Sequence, residues 1–412
     1  MPSTASPTIK TEKAGVSSQR IEVIDALRGF SLLGIILTHT TYSFLETTAQ
    51  PTAISDAGNL SLVDNAIKMG VQVFATGKFY SIFSFLFGLS FAIQLQSAKS
   101  KGRPFTGRFL WRLAILLVIG YLHTLLYPRD ILQIYALLGT VLVFCVNWSD
   151  KKLLVGSAVL FVISILASVF APQLEAIIFP PITAANEYPI SGLFGIAKFA
   201  FLIPSGRVFV TVALFMLGLY AGRRNVFKDT PAHRAFFYKL LIWGGSVSVI
   251  CTGLVGLIAF AGLDANPLAG AVEEICVAVQ KISLSSFFVA LVVQLYRGNS
   301  ILSNVLHWLV PVGRIGLTVY VTQSLFMVGF YEYALEPGTI SDLGLIVVMG
   351  ITLLYFAGQI LFAMWWMSNY RLGPLEWLWR SLTYLKLQPI RKPAYSTTVE
   401  AGTMGSRAVP SK

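Results

Sequence analysis

Arg28 and His39 are the two residues of this chain best spaced to do chemistry together. They stand eleven positions apart in IDALRGFSLLGIILTHTTYSFL, residues 24–45, a stretch that is otherwise largely apolar. Eleven helical steps make about three turns, so both side chains share one face, roughly 16 Å apart along the axis. Glu46 falls near the same stripe. An ionisable group inside an apolar segment of spanning length is costly and turns to a polar interior rather than to lipid. A guanidinium there can clamp a phosphate or pyrophosphate, and a neutral imidazole can take a proton as a general base. Each residue also has a structural alternative. Asp25 lies three residues before Arg28 and can pair with it at the inner boundary, and His39 can serve as a hydrogen bond between helices.

Other polar residues recur where apolar ones are expected. In HTLLYPRDILQIYALLG, His123, Arg129, Asp130 and Gln133 crowd a tight turn. Asp130 suits a helix N-terminus, where a carboxylate caps open N–H groups. Alternatively it polarises a catalytic imidazole, and His39, expected toward the same side, would be the other member of that dyad. Lys78 opens KFYSIFSFLFG and either snorkels to the interface or faces a substrate. VGRIGLTVYVTQSLF holds Arg314, Tyr320, Gln323 and Ser324. Arg314 and Gln323 are about 180° apart on a regular helix, so Tyr320 and Gln323 are the ones expected to face a polar interior. Lys78, His123, Arg129, Gln133, Tyr320 and Gln323 are thus candidate substrate contacts. Lys281 can pair with Glu273 or Glu274 inside its segment.

The elements that must hold these residues follow from composition. The 412 residues are 55% hydrophobic and only 12% charged, where a soluble domain is nearer a quarter charged. Mean hydropathy is +0.70. Apolar runs long enough to cross a bilayer fall near 24–45, 78–96, 109–127, 131–147, 153–171, 207–222, 240–262, 271–296, 313–334 and 343–368. The expectation is an all-α, polytopic integral membrane bundle of about ten transmembrane helices. Residues 60–77 read as an amphipathic surface helix. Residues 172–206 read as a Pro-rich connection with a half-helix at 190–203. NYRLGPLEWLWRSLTYLK reads as an interfacial helix with aromatic anchors. Lys and Arg concentrate in 97–112, 223–239 and the stretch after 369, while 47–66 and 335–342 carry acids. That bias places both termini in the cytoplasm. Residues 1–20 and 391–412 read as disordered cytosolic tails. The net charge of +12 speaks to topology, and no nucleic-acid module is visible. Cys145, Cys251 and Cys276 lack the spacing of a metal or disulfide framework, so no metal is expected.

In their order, IDALRGFSLLGIIL, KFYSIFSFLFGLSFAIQLQ, GYLHTLLYPRDILQIYALLG, VGRIGLTVYVTQSLF and GPLEWLWRSLTY resemble the YeiB-like (DUF418-type) family of bacterial inner-membrane proteins, across residues 20 to 390. Its N-terminal half is similar to transmembrane acyltransferases, including the heparan-α-glucosaminide N-acetyltransferase group and enzymes that modify bacterial surface sugars. The resemblance implies an acyltransferase-like half at 21–206 and a half of unknown function at 207–390. Arg28 and His39 match the Arg-x10-His spacing of the sugar-modifying group. By that likeness His39 is the catalytic base or acyl carrier, and Arg28, with Arg108 and Arg112, holds the acyl donor. Some family members carry Asn where His39 stands, and Gly-Asp where Arg129-Asp130 stands. The implied activity is multi-pass, inner-membrane transfer from cytosolic acyl-CoA, a co-substrate rather than a resident cofactor, to a glycan or small-molecule acceptor; homo-oligomers are compatible with it. The competing expectations are a transporter or exporter of a small anionic or amphiphilic solute, which would use the same polar stripe, and a structural or lipid-binding protein without turnover.

Overall fold

A computed structural model describes residues 21–48, 61–128, 130–178, 202–263, 265–334 and 339–392. Residues 1–20, Arg129, most of the expected half-helix at 190–203 and all but the first two residues of 391–412 lie outside the described residues. Among the described residues the chain is helical, with one isolated antiparallel bridge between Tyr370 and Arg391.

Among the described residues seven helices are long and apolar enough to cross a membrane, and an eighth crossing results if one sharply bent pair counts as a single span. The sequence count of about ten is higher because of two segments. Residues 131–147 break at Gly139 and Thr140 into α5 (Leu132–Leu138) and α6 (Val141–Phe144). Residues 207–222 form α9 (Arg207–Arg223), whose 17 residues are short for a full crossing.

The polar stripe lies on α1 (Glu22–Thr48), which runs through the centre of the bundle with Leu27, Leu32 and Ile36 fully buried. It crosses α3 (Lys78–Ser100), α12 (Ile301–Arg314) and α14 (Thr339–Asn369). The α1–α12 crossing is close because Gly29 and Gly313 face the opposite backbone; a Cβ on Gly313 would run into the Asp25 carbonyl. This contact sets Arg28 and Arg314 side by side. Gly88 and Gly218 do the same for α3 against α9. Such small-residue contacts substitute for hydrophobic driving force between apolar helices.

Helix starts follow local chemistry. Ser61 caps α2 (Leu62–Phe74), Ser149 caps α7 (Asp150–Val169) and Ser300 caps α12. Thr230 and Asn266 cap α10 (Pro231–Phe260) and α11 (Pro267–Tyr296), each with proline at the first helical position, where its missing N–H costs nothing. α10 and α11 pair as a hairpin, and α10 leaves Trp243, Val249 and Phe260 exposed. The expected surface helix is α2: Asp64 is buried, and Leu62, Met69 and Phe74 are exposed.

Two helices are broken, and each break is capped by a carboxylate from another element. α12 and α13 (Gly316–Val328) meet at Ile315 with a bend of 87°. Glu376, from the expected amphipathic segment, here α15 (Pro374–Tyr384), accepts from the Leu317 and Thr318 amides at 2.6 and 3.1 Å and from the Thr318 hydroxyl at 2.7 Å. Inside α14, Gly344 has φ of +72°, a left-handed conformation that favours glycine. The Asp64 carboxylate accepts from the next amide, Leu345, at 2.8 Å. In both cases the carboxylate accepts from N–H groups that a new helix start leaves without a partner in the helix.

Candidate functional site

A cavity of about 980 Å3 runs between α1, α3, α4 (Thr106–Leu126), the turn at 127–131, α12, α13 and α15. Arg28 and His39 both line it, together with Thr38, Tyr42 and Glu46 of the same helix. The shared face expected from their spacing is therefore a cavity wall, which continues past His39 to Tyr42 and Glu46.

The Arg28 end is rich in guanidinium. Arg28 donates to Asp25 at 2.6 Å and to Ser90 at 2.6 Å. Arg112 donates to Gln94 at 3.0 Å and stacks on Trp379, 4.0 Å from the ring centre. Arg314 pairs with Glu22 at 2.7 Å and lies 3.6 Å from the other Asp25 oxygen. All three line the cavity, as do Glu376 and Trp379. α15 is pinned over this end: the Trp379 indole donates to the Arg112 carbonyl at 3.0 Å, and Trp111 donates to the Leu382 carbonyl at 3.2 Å. Burial raises the Glu376 carboxyl above its ordinary range, against the pull of the three donors it accepts from. Three guanidiniums converging on one mouth provide forked donors suited to phosphate oxygens.

The geometry divides the candidates drawn from sequence. Arg28, His39, Arg112, Asp130 and Tyr320 line the cavity. Arg108 does not; it is exposed and lies over the Tyr384 ring at 5.4 Å. Lys78 is buried and does not snorkel. Its ammonium folds back and donates to the Gln72 carbonyl at 3.0 Å. Gln323 is also away from the cavity, donating to Gln359 at 3.1 Å; Gln359 in turn donates to Thr322 at 2.9 Å and Tyr355 at 3.2 Å. The break at Ile315 removes the regular helix on which Arg314 and Gln323 were compared: Arg314 reaches the cavity, whereas Gln323 joins the helix packing. Arg129 falls outside the described residues.

At the His39 end, the partner of Asp130 is His123. Their Nδ1 and Oδ1 are 2.7 Å apart, and both side chains are almost wholly buried. The other Asp130 oxygen accepts from the Gln133 amide at 3.1 Å, so capping and imidazole polarisation occur in one carboxylate. The His123 ring lies 5.3 Å from Tyr320, and among the described residues His123 Nε2 has no hydrogen-bond partner. With Nδ1 facing a carboxylate, a neutral ring carries its proton there and leaves Nε2 as the acceptor. Tyr127 stands between the two imidazoles, 5.2 Å from the ring of His39 and 6.3 Å from that of His123. Asp130 thus orients His123 and faces the same cavity as His39.

Several lining residues are not among the sequence candidates: Ser90, Gln94, Glu175, Arg207, Glu376 and Trp379, and Arg314, which the sequence reading sets aside in favour of Gln323. Ser90 and Gln94 carry a detectable signal, since they sit one turn apart on the α3 face that meets Arg28. Glu376 and Arg314 carry none, because the Gly29–Gly313 crossing sets Arg314 beside Arg28 and the helix start after Ile315 draws in Glu376. Among the described residues no cluster of His, Cys, Asp and Glu could hold a metal ion.

A family model described as "Protein of unknown function (DUF418)" matches residues 221–386. Over 92% of its length the chain is 29% identical to "Uncharacterized protein YxaH" of Bacillus subtilis, covering 97% of that protein. It is 26% identical to an uncharacterized 39.9 kDa protein of Bacillus acidopullulyticus, over 90% of this chain and 96% of that one. It is 23% identical to "Uncharacterized protein YeiB" of Escherichia coli, over 89% of this chain and 96% of that one. No solved structure matches.

Proposed function

Because the chain belongs to the YeiB-like, DUF418-bearing family, whose family model assigns no reaction, we propose from its geometry that it is a membrane-embedded acyltransferase. It would move an acyl group from cytosolic acyl-CoA to an acceptor on the far side of the inner membrane, a glycan or small molecule. The observation that carries this reading is the one continuous cavity joining the Arg28, Arg112 and Arg314 mouth to His39 and Asp130.

The arginines would hold the phosphates of the donor. Arg108, expected from sequence to help, would act only by attracting the donor from outside. The roughly 16 Å between Arg28 and His39 is a span that an extended donor arm can bridge. At the far end the His39 imidazole takes the proton of an acceptor hydroxyl or amine as that atom attacks the thioester carbon. The new C–O or C–N bond forms, the C–S bond breaks, and the proton goes to the departing thiolate. The bias of Lys and Arg supports cytoplasmic termini, with the arginine mouth on the cytosolic side. α9 and the 131–147 segment would complete about ten crossings or partial crossings. The bilayer is the remaining partner.

The test is acyl transfer from labelled acyl-CoA by the purified chain in liposomes. Transfer is expected in the parent and lost in His39→Ala, and undiminished transfer in that variant overturns the mechanism. A second reading, transport of an anionic or amphiphilic solute, draws on the break at Ile315: Gly316 and Leu317, at the N-terminus of α13, line the cavity, as broken helices do in carriers. Solute flux without CoA binding would favour it.

A further inference from the structure

The His39 end of the main cavity shares part of its wall with a second one. A cavity of about 480 Å3 lies between the outer half of α1 and α2, lined by Thr41, Tyr42 and Leu45 on one side and Lys68, Met69 and Gln72 on the other. Tyr42 and Thr76 line both cavities. Tyr42 is one helical turn beyond His39, so the shared wall lies beside the imidazole.

The character of α2 decides what can enter there. Its outward side carries Leu62, Val63, Met69 and Phe74, all exposed, while Lys68, also exposed, lies one turn after Asp64 and lines the gap. Large apolar side chains left uncovered on an amphipathic helix beside membrane-length helices belong at the headgroup and acyl-chain boundary. Asp64 anchors the opposite face of α2 to Leu345, so the helix is held with this face outward. A gap walled by Leu45, Met69 and Val71 offers a water-soluble polar molecule little in exchange for its hydration. It suits a hydrocarbon chain, with Lys68 available to an anionic headgroup.

We infer that the acceptor reaches His39 sideways from the bilayer, between α1 and α2, and is a membrane-dissolved amphiphile whose hydroxyl or amine enters the main cavity at Tyr42 and Thr76. The donor and acceptor then approach His39 by separate routes, one from water through the arginine mouth and one from lipid. That the amphiphile is an acyl acceptor rests on the acyltransferase reading; the lateral route itself does not.

The test uses Thr41→Cys in a full-length chain whose Cys145, Cys251 and Cys276 are replaced by serine, reconstituted in liposomes. Thr41 is only 5% exposed and lines the second cavity but not the main one, so it reports on the gap between α1 and α2. Two thiol reagents are compared: a lipid-soluble alkyl maleimide and a charged, membrane-impermeant one, the latter applied to both faces. The lipid-soluble reagent is expected to react at least tenfold faster, and Met69→Trp, which fills the gap from the exposed face of α2, is expected to slow it severalfold. A Phe260→Cys reporter on α10, exposed and remote from both cavities, controls for general partitioning and folding. Equal rates for the two reagents, no reaction with either, or indifference to Met69→Trp would overturn the lateral route. Absence of acyl-CoA turnover alongside the expected labelling would instead remove the acyltransferase reading and leave the route standing.

Discussion

Two sets of buried polar residues, one drawn from each half of this chain, are held in opposite ways. In the N-terminal half, Arg28, His39, Arg112 and Asp130 face one open cavity. In the C-terminal half, which carries the DUF418 match, Gln323, Gln359, Thr322 and Tyr355 chiefly bond one another, and Thr352 reaches Thr40 at 3.0 Å. Both sets look alike in the sequence as polar residues within apolar segments. One set lines space that a ligand can fill, and the other ties helices together. A buried polar residue is therefore a functional candidate when its neighbours leave room beside it, and a packing residue when they do not.

The contrast is sharpest at His39. His39→Ala should lower acyl transfer by about 10^2- to 10^4-fold, the usual worth of general-base catalysis, while the thermal midpoint stays near the parent value. Asp130→Ala should unfold more readily, by about 1–3 kcal/mol, because the buried His123 Nδ1–H is left without its acceptor, measured by thermal denaturation in detergent. Should Asp130→Ala reduce transfer with unchanged stability, the pair would be reassigned from positioning to chemistry. Arg28→Ala removes charged hydrogen bonds worth about 1.5–3 kcal/mol each. Binding of CoA by the solubilised protein should weaken at least tenfold, and this is read by titration. Gln359→Leu should leave transfer and CoA binding untouched and cost about 0.6–1.7 kcal/mol of stability. A loss of activity there would erase the distinction between the two sets.

The smallest effect concerns pH. Burial holds the Glu376 carboxyl above its ordinary range in the folded chain. Its folded value exceeds its unfolded value, so the protonated form is favoured by folding. The stability tied to that proton is complete below the ordinary carboxylate range and is lost as pH rises through the raised value. Glu376→Gln, which cannot titrate, should flatten that part of the stability profile. An unchanged profile would mean that α15 is held by Trp111, Trp379 and Arg112 alone.

The cavity wall on α1 was legible because it is local: the helical period alone puts Arg28 and His39 on one face. The cap role of Asp130, the pairing of Asp25 with Arg28 and the amphipathic character of α2 and α15 were legible for the same reason. The partner of Asp130 was not. His123 and His39 are both plausible imidazoles for that carboxylate, and the choice depends on how the 127–131 turn folds back onto α4. Lys78 was misplaced because whether a lysine reaches an interface depends on what covers it, here the end of α2. Gln323 was misplaced because the break at Ile315 changes the face on which every later residue of that segment lies.

Composition and periodicity thus determined an all-helical chain of membrane-length segments and the polar stripe on its leading helix, since both depend on contacts within a few residues. Tertiary structure alone decided that Arg314 and Glu376 join Arg28, that Asp130 belongs to His123, and that two cavities share Tyr42 and Thr76 in their walls. Those outcomes depend on helix crossings set by Gly29 and Gly313 and on carboxylates that cap helices far away in sequence. No local pattern encodes which of several compatible partners a buried charge will meet.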